Sequence, residues 1–256
     1  MRSFISGTVA LASFLAISSN AATLFDSFGF EAPTYSLGNL SGQNGWDFFG
    51  PGAATVQNTV VNGGSQAVQL SGAASTWHWP NLGYTPGAGE IVRVSFDVRA
   101  SAPAPINNFG YFVDVYNTGP EGGNRVARTG LFRTATGSML ALITIGQTGP
   151  NAPGSYTIGN PLAADTWFNF VMDLNFATDT FAVSVNGSTI ASGLSFVTAS
   201  TGIGDADLQL SGTAGATDSG FFDNYRVEAI VIPEPGVLSI ALVGGLAFVA
   251  LRRRKA

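Results

Sequence analysis

Residues 22–229 predict an all-β domain, a two-sheet antiparallel β-sandwich. Three observations carry that expectation: apolar side chains alternate with polar ones, turn residues punctuate the runs, and no long stretch has helical periodicity. In residues 90–99, Val92, Val94, Phe96 and Val98 point one way, with Arg93, Ser95, Asp97 and Arg99 opposite. Phe168, Phe170, Met172, Leu174 and Phe176 repeat the pattern against Asn169, Asp173 and Asn175. Phe109, Tyr111, Val113 and Val115 form a shorter version, as do Phe181, Val183 and Val185. Successive side chains leave a pleated backbone on opposite faces, so a period of two with one apolar side describes a strand with one buried face. Asn62-Gly63-Gly64 separates residues 55–61 from 66–70, and Asn186-Gly187 separates 181–185 from 189–190. Asn-Gly tolerates the positive φ of a tight hairpin, so both sites predict β-turns. Residues 228–232 read as a brief linker, and no second domain is evident.

Both termini have a different character. Met1-Arg2, an apolar stretch over residues 4–17 and the small residues Ser19-Asn20-Ala21 predict a secretory signal peptide, residues 1–21, removed by signal peptidase. Residues 230–256 contain Pro233-Glu234-Pro235, an apolar run over 236–251 whose only polar side chain is Ser239, and the terminal cations Arg252, Arg253, Arg254 and Lys255. As a helix that run spans about 24 Å, a single transmembrane helix a little short of a bilayer core. Snorkelling arginines offset the deficit. The basic end stays in the cytoplasm and the bulk of the chain lies outside it.

This three-part terminus resembles the PEP-CTERM sorting signal of exopolysaccharide-producing Gram-negative bacteria. The resemblance implies an exosortase as processing partner and an inner-membrane anchor with the ectodomain in the periplasm. It further implies final placement at the cell surface or in the extracellular matrix, with exopolysaccharide or biofilm. Prolines lack the amide hydrogen and disfavour helix before them, so Pro233 and Pro235 keep Glu234 in an extended, readable segment.

Composition fits an exported protein. With no cysteine there is no disulfide framework and no thiolate metal site. Setting aside Arg2 and the four terminal cations leaves six basic residues, all arginine, against 16 acidic ones. Such a surface repels nucleic acid and leaves cations or neutral glycans as partners.

The ectodomain also carries Phe25-Asp26-Ser27-Phe28, then Tyr35 and Gly42-Gln43-Asn44-Gly45-Trp46. Asp165-Thr166-Trp167-Phe168, Val183-Ser184-Val185-Asn186-Gly187 and Phe222-Asp223-Asn224-Tyr225-Arg226-Val227 follow. Together these resemble LamG-like, concanavalin-type jelly rolls from bacterial surfaces. The resemblance implies neighbouring opening and closing strands, with a structural Ca²⁺ between an acidic residue near the first strand and one in the last. Here those are Glu31 and Asp223, and oxygen ligands in excess suit that ion. Asp205 and Asp207 read as a solvated turn.

Catalysis finds little support. Glycoside hydrolysis needs two carboxylates across a bond, and the few glutamates make no Glu-x-Asp-x-x-Glu run. A Ser-His-Asp triad would have to use His78, the only histidine. Binding has a better candidate. Trp77-His78-Trp79 puts two indoles on one side of an extended segment, with Tyr84 and Trp46 available to extend a sugar-stacking platform. The alternative is that both indoles fill the core. The expectation is therefore a non-catalytic surface or matrix protein, with a lectin or glycan-acting enzyme of concanavalin-like fold as the alternative.

Overall fold

The computed structural model describes residues 21–72, 75–101, 109–117, 123–134, 138–146, 154–212 and 218–232. Residues 1–20 of the signal peptide expected over residues 1–21, with the expected sorting motif, the apolar run and the basic tail, lie outside the described residues, and Ala21 opens the first strand. Among the described residues no helix is long and apolar enough to cross a membrane.

Two antiparallel sheets face each other, as the alternation predicts. One contains β1 (Ala21–Asp26), β2 (Gly38–Asn39), β4 (Ala53–Gln57), β5 (Ala67–Ser71), β7 (Glu90–Ala100), β12 (Phe168–Asn175), β13 (Thr180–Val185), β14 (Ser188–Ser195) and β16 (Ser219–Val231). Its order is β14-β13-β12-β7-β16-β5-β4-β2, with β1 also pairing with β16. The second contains β3 (Trp46–Phe49), β6 (Thr76–Tyr84), β8 (Phe109–Tyr116), β9 (Arg125–Arg133), β10 (Met139–Ile145), β11 (Gly154–Leu162) and β15 (Ile203–Gly212), ordered β11-β10-β9-β8-β15-β6-β3.

Between the sheets lie the expected side chains: Val92, Val94, Phe96 and Val98 from β7, Phe170, Met172 and Leu174 from β12, and Tyr111, Val113 and Val115 from β8. Phe96 and Phe170 stack with ring centres 5.6 Å apart. An aromatic plug closes one region, where Trp46 meets Phe25 and Tyr225 edge-on and Phe30 obliquely. Its polar handles are satisfied. Trp46 Nε1 donates to the Tyr35 hydroxyl at 2.9 Å, and the Tyr225 hydroxyl donates to the Ala206 carbonyl at 2.7 Å. Trp46 is therefore core and cannot extend a surface platform, which corrects that expectation.

The opening and closing strands do pair, with Ala22 opposite Ala229 and Phe25 opposite Val227. Residues 228–231 are not a linker but the end of β16, in register with β7 through Val231 and Glu90. The two Asn-Gly sites differ. Asn186 and Gly187 have φ of 48° and 77° and join β13 to β14 directly, with Val185 opposite Ser188. Residues 58–66 instead form a longer loop. Gln57 Oε1 accepts from the Thr59 and Val60 amides and ends the strand early, and Asp223 Oδ2 accepts from the Asn62 and Gly63 amides. Tertiary carboxylate contacts outcompete the local hairpin.

Candidate functional site

The seven-stranded sheet has a second face, turned away from the core. Register defines it. Phe49, Trp77, Gln209 and Phe112 form one row across β3, β6, β15 and β8. Asp207, Asp114, Arg128 and Thr144 form the next across β15, β8, β9 and β10, and Trp79 joins it because it lies two residues from Trp77. Asn81, Asp205 and Tyr116 form a third. This row structure explains why β8 is buried on both sides although its sequence alternates. Val113 and Val115 face the core, while Phe112 and Asp114 belong to the outer cluster.

Asp114 anchors the cluster. Its carboxylate accepts from Nε and Nη2 of Arg128, and Arg125 Nη2 lies 3.2 Å from its Oδ2. Arg128 Nη2 also donates to Gln209 Oε1, and its guanidinium sits 4.7 Å above the Phe112 ring. Two arginines thus neutralise one fully buried aspartate, which is how a buried charge is tolerated. Among the described residues Asp205 and Asp207 make no such ion pair, although the Arg125 charge favours the Asp207 carboxylate. Burial, with the Asp114 charge adding to it, pushes Asp205 up to about 6, although its bond with Asp207 works the other way. Asp207 is raised well above the usual carboxylate range by burial and then by the charge of Asp205. Two carboxylates within hydrogen-bond reach must share a proton. The expected solvated turn is corrected: both residues lie inside β15 and are buried.

Apart from the mutual contact of Asp205 and Asp207, several polar atoms on this face have no hydrogen-bond partner: Nε1 of Trp77 and of Trp79, Nε of Arg125, both oxygens of Asp205 and Oδ1 of Asp207. Donors and acceptors are left over together.

The indoles share a side, as their spacing predicts, and neither belongs to the inter-sheet core cluster. They do not form an exposed pair, because Trp79 is only 3% exposed. Trp77 keeps partial exposure and is joined by Phe49, 55% exposed, with ring centres 5.9 Å apart. The aromatic edge is therefore Phe49 with Trp77. Sequence reasoning missed Phe49 because the signal is a cross-strand pairing, not a spacing.

His78 faces the core. It is buried, its Nε2 lies 3.3 Å from Thr76 Oγ1, and burial pulls its pKa down to about 4, so the ring is neutral. Tyr84 lies away from the indoles, at the end of β6, and its hydroxyl donates to Glu90 Oε2 at 2.7 Å.

Glu31 and Asp223 converge on the loop over residues 58–66, as their pairing requires. Glu31 accepts from the Ser65 amide and hydroxyl and the Gln66 amide. Burial alone would raise Glu31, but these bonds outweigh it and the pKa is lowered. Asp223 accepts from the amides of Asn62, Gly63 and Asn224. Every one of these oxygens already accepts at least one hydrogen bond from the protein. Among the described residues, no group of three or more His, Asp or Glu is arranged to hold a metal.

No protein-family model matches the sequence, and no curated protein is similar to it. Solved structures do resemble the fold. A carbohydrate esterase from the Shiga toxin-encoding bacteriophage phi24B matches with a TM-score of 0.54 at 16% identity, over 82% of this chain and 99% of that one. A sialidase matches with a TM-score of 0.50 at 12% identity over 75% of this chain, which spans only 18% of the sialidase. An alginate lyase in complex with an alginate trisaccharide matches with a TM-score of 0.48 at 14% identity, over 84% and 99% of the two chains. At such identities the esterase and sialidase matches establish the sandwich fold.

Proposed function

We propose that this protein is exported and displays its sandwich as a non-catalytic, glycan-engaging unit at the cell surface or in an exopolysaccharide matrix. The observation that carries the glycan half is the outer face of the seven-stranded sheet. There the Phe49–Trp77 edge stands beside donors and acceptors that lack protein partners. A sugar ring offers an apolar C–H face to an aromatic surface and hydroxyls that both donate and accept. Buried polar atoms without protein partners call for water or a ligand. Supporting the non-catalytic reading, the few glutamates make no Glu-x-Asp-x-x-Glu run of the kind that sets two carboxylates across a glycosidic bond.

The address half rests on the termini: export through residues 1–21, then processing by an exosortase at Pro233-Glu234-Pro235. Glu234→Ala should leave export intact and block removal of the tail, read as intact mass in an exosortase-positive host. Unchanged tail removal would end the sorting claim. For the glycan half, the double variant Phe49→Ala/Trp77→Ala should lose at least about tenfold in affinity for the host's purified exopolysaccharide, a drop of about 1.4 kcal/mol. Equal binding by variant and wild type would remove the outer face from the function.

A further inference from the structure

At one end of the sandwich a cleft of about 750 Å³ opens between the end of β6 and the turn joining β12 to β13, with residues 199–204 as a wall. Its size is that of a small-molecule site. Asn81, Tyr84, Thr85, Asp179, Ser200 and Thr201 line it, and among the described residues no arginine, lysine or histidine does. Asn81 is also the register partner of Asp205, so the cleft begins where the outer face ends.

The walls are fixed by contacts that do not use a ligand. Asp179 Oδ1 accepts from the Ser200 amide at 3.0 Å, and the Asp179 carbonyl accepts from the Phe196 amide at 2.9 Å. Ser200 Oγ donates to the Gly202 carbonyl. Gly202 lies so close to β6 that an added Cβ would stand 2.6 Å from the Tyr84 carbonyl oxygen. The Tyr84 hydroxyl is tied to Glu90, which holds its half-exposed ring in one orientation. A preformed cleft loses little ordering entropy on binding.

We infer that this cleft binds a short stretch of neutral polysaccharide, with the Tyr84 ring as stacking surface and the Asn81, Thr85 and Thr201 side chains as hydroxyl partners. The ligand class follows from charge. Among the described residues the one charged group in the lining is Asp179, so a uronate or sialate would bring its carboxylate towards an anion with no described lining cation to compensate. Neutral hydroxyls match the amide and hydroxyl groups present. The inference rests on the glycan-engaging reading and gives it a place and a substrate class.

The test titrates full-length protein in detergent with neutral gluco-, manno- and galacto-oligosaccharides, and with acidic alginate-derived and sialylated ones, by calorimetry. Wild type is compared with Thr201→Trp, which fills the cleft from an exposed rim position, and with Trp77→Ala. Expected is binding of a neutral oligosaccharide that Thr201→Trp weakens at least about tenfold, more than Trp77→Ala does, and that acidic oligosaccharides do not match. Loss in Trp77→Ala with Thr201→Trp unaffected would overturn the cleft while leaving the outer face in place. A preference for acidic oligosaccharides would overturn the ligand class. Absence of binding to any of them, with native circular dichroism retained, would overturn the cleft; exopolysaccharide binding that still depends on Phe49 and Trp77 would leave the outer-face reading standing.

Discussion

The two sheets each carry buried aspartates on the face turned away from the core, and Asp97 and Asp223 on one are partnered very differently from Asp205 and Asp207 on the other. On the nine-stranded sheet Asp97 accepts from three asparagine side chains, Asn62, Asn169 and Asn224, at 2.7–2.8 Å. Its neighbour Asp223 is clasped by backbone amides. A bulge in β16 between Asp223 and Arg226, with Asn224 at a φ of 48°, aims the Asn224 amide at Asp97. On the seven-stranded sheet Asp205 and Asp207 have each other and unmatched oxygens. A saturated carboxylate is a structural fastener. An unsaturated one costs stability and marks a surface kept for something else.

The largest expected effect breaks the saturated side. Asp97→Ala leaves three asparagine amides without their acceptor and should cost about 3 kcal/mol, read as a lowered urea midpoint. A loss below about 1 kcal/mol would erase the contrast. Asp205→Asn should do the reverse: removing a poorly partnered buried charge leaves stability at pH 7 unchanged or raises it by about 1 kcal/mol.

Acidity sharpens the same contrast. The folded-state pKa of Asp205 lies above its unfolded value of 3.8, at about 6, so between those values the native state holds the extra proton. Stability from Asp205 therefore falls as pH rises from about 4 to 6, and Asp207, raised in the same direction, adds to the fall. His78 acts with the opposite sign, since burial lowers its pKa from 6.5 to about 4 and the unfolded state takes the proton in that window. The informative quantity is the difference between wild type and Asp205→Asn/Asp207→Asn. Wild type should gain on the variant as pH falls from 7 to 5, and parallel pH–stability curves would show that the pair does not titrate there.

Smaller effects remain. Gly187→Ala, at a φ of 77° with open space around the added methyl, should cost about 1 kcal/mol through backbone conformation alone. Chelating Ca²⁺ should leave the thermal midpoint unchanged, because donors already occupy Glu31 and Asp223; a drop of several degrees would show that the loop over residues 58–66 rearranges around an ion.

Much of the fold was legible in single runs of residues. β7, β12 and β13 follow from alternation, and the Asn186-Gly187 turn from its residue types, because these are local consequences of pleat and φ preference. The same rule misplaced residues 55–66, where Gln57 and Asp223 supply long-range partners for the loop's amides. Of the site, the common side of Trp77 and Trp79 was legible from their spacing. It could not reveal that Trp79 is shut, that Trp46 turns inward to Tyr35, or that Phe49 completes the aromatic edge, since each depends on a neighbouring strand's register. The acid cluster was hidden for the same reason: Asp114 and Asp207 are far apart in the chain and meet only as register partners of β8 and β15. Sequence by itself determined strand type, turn chemistry and the acidic, cysteine-free character, all properties legible without knowing which strands pair. Only tertiary structure decided which carboxylates are saturated and which aromatic rings reach solvent, because both depend on which strands lie side by side.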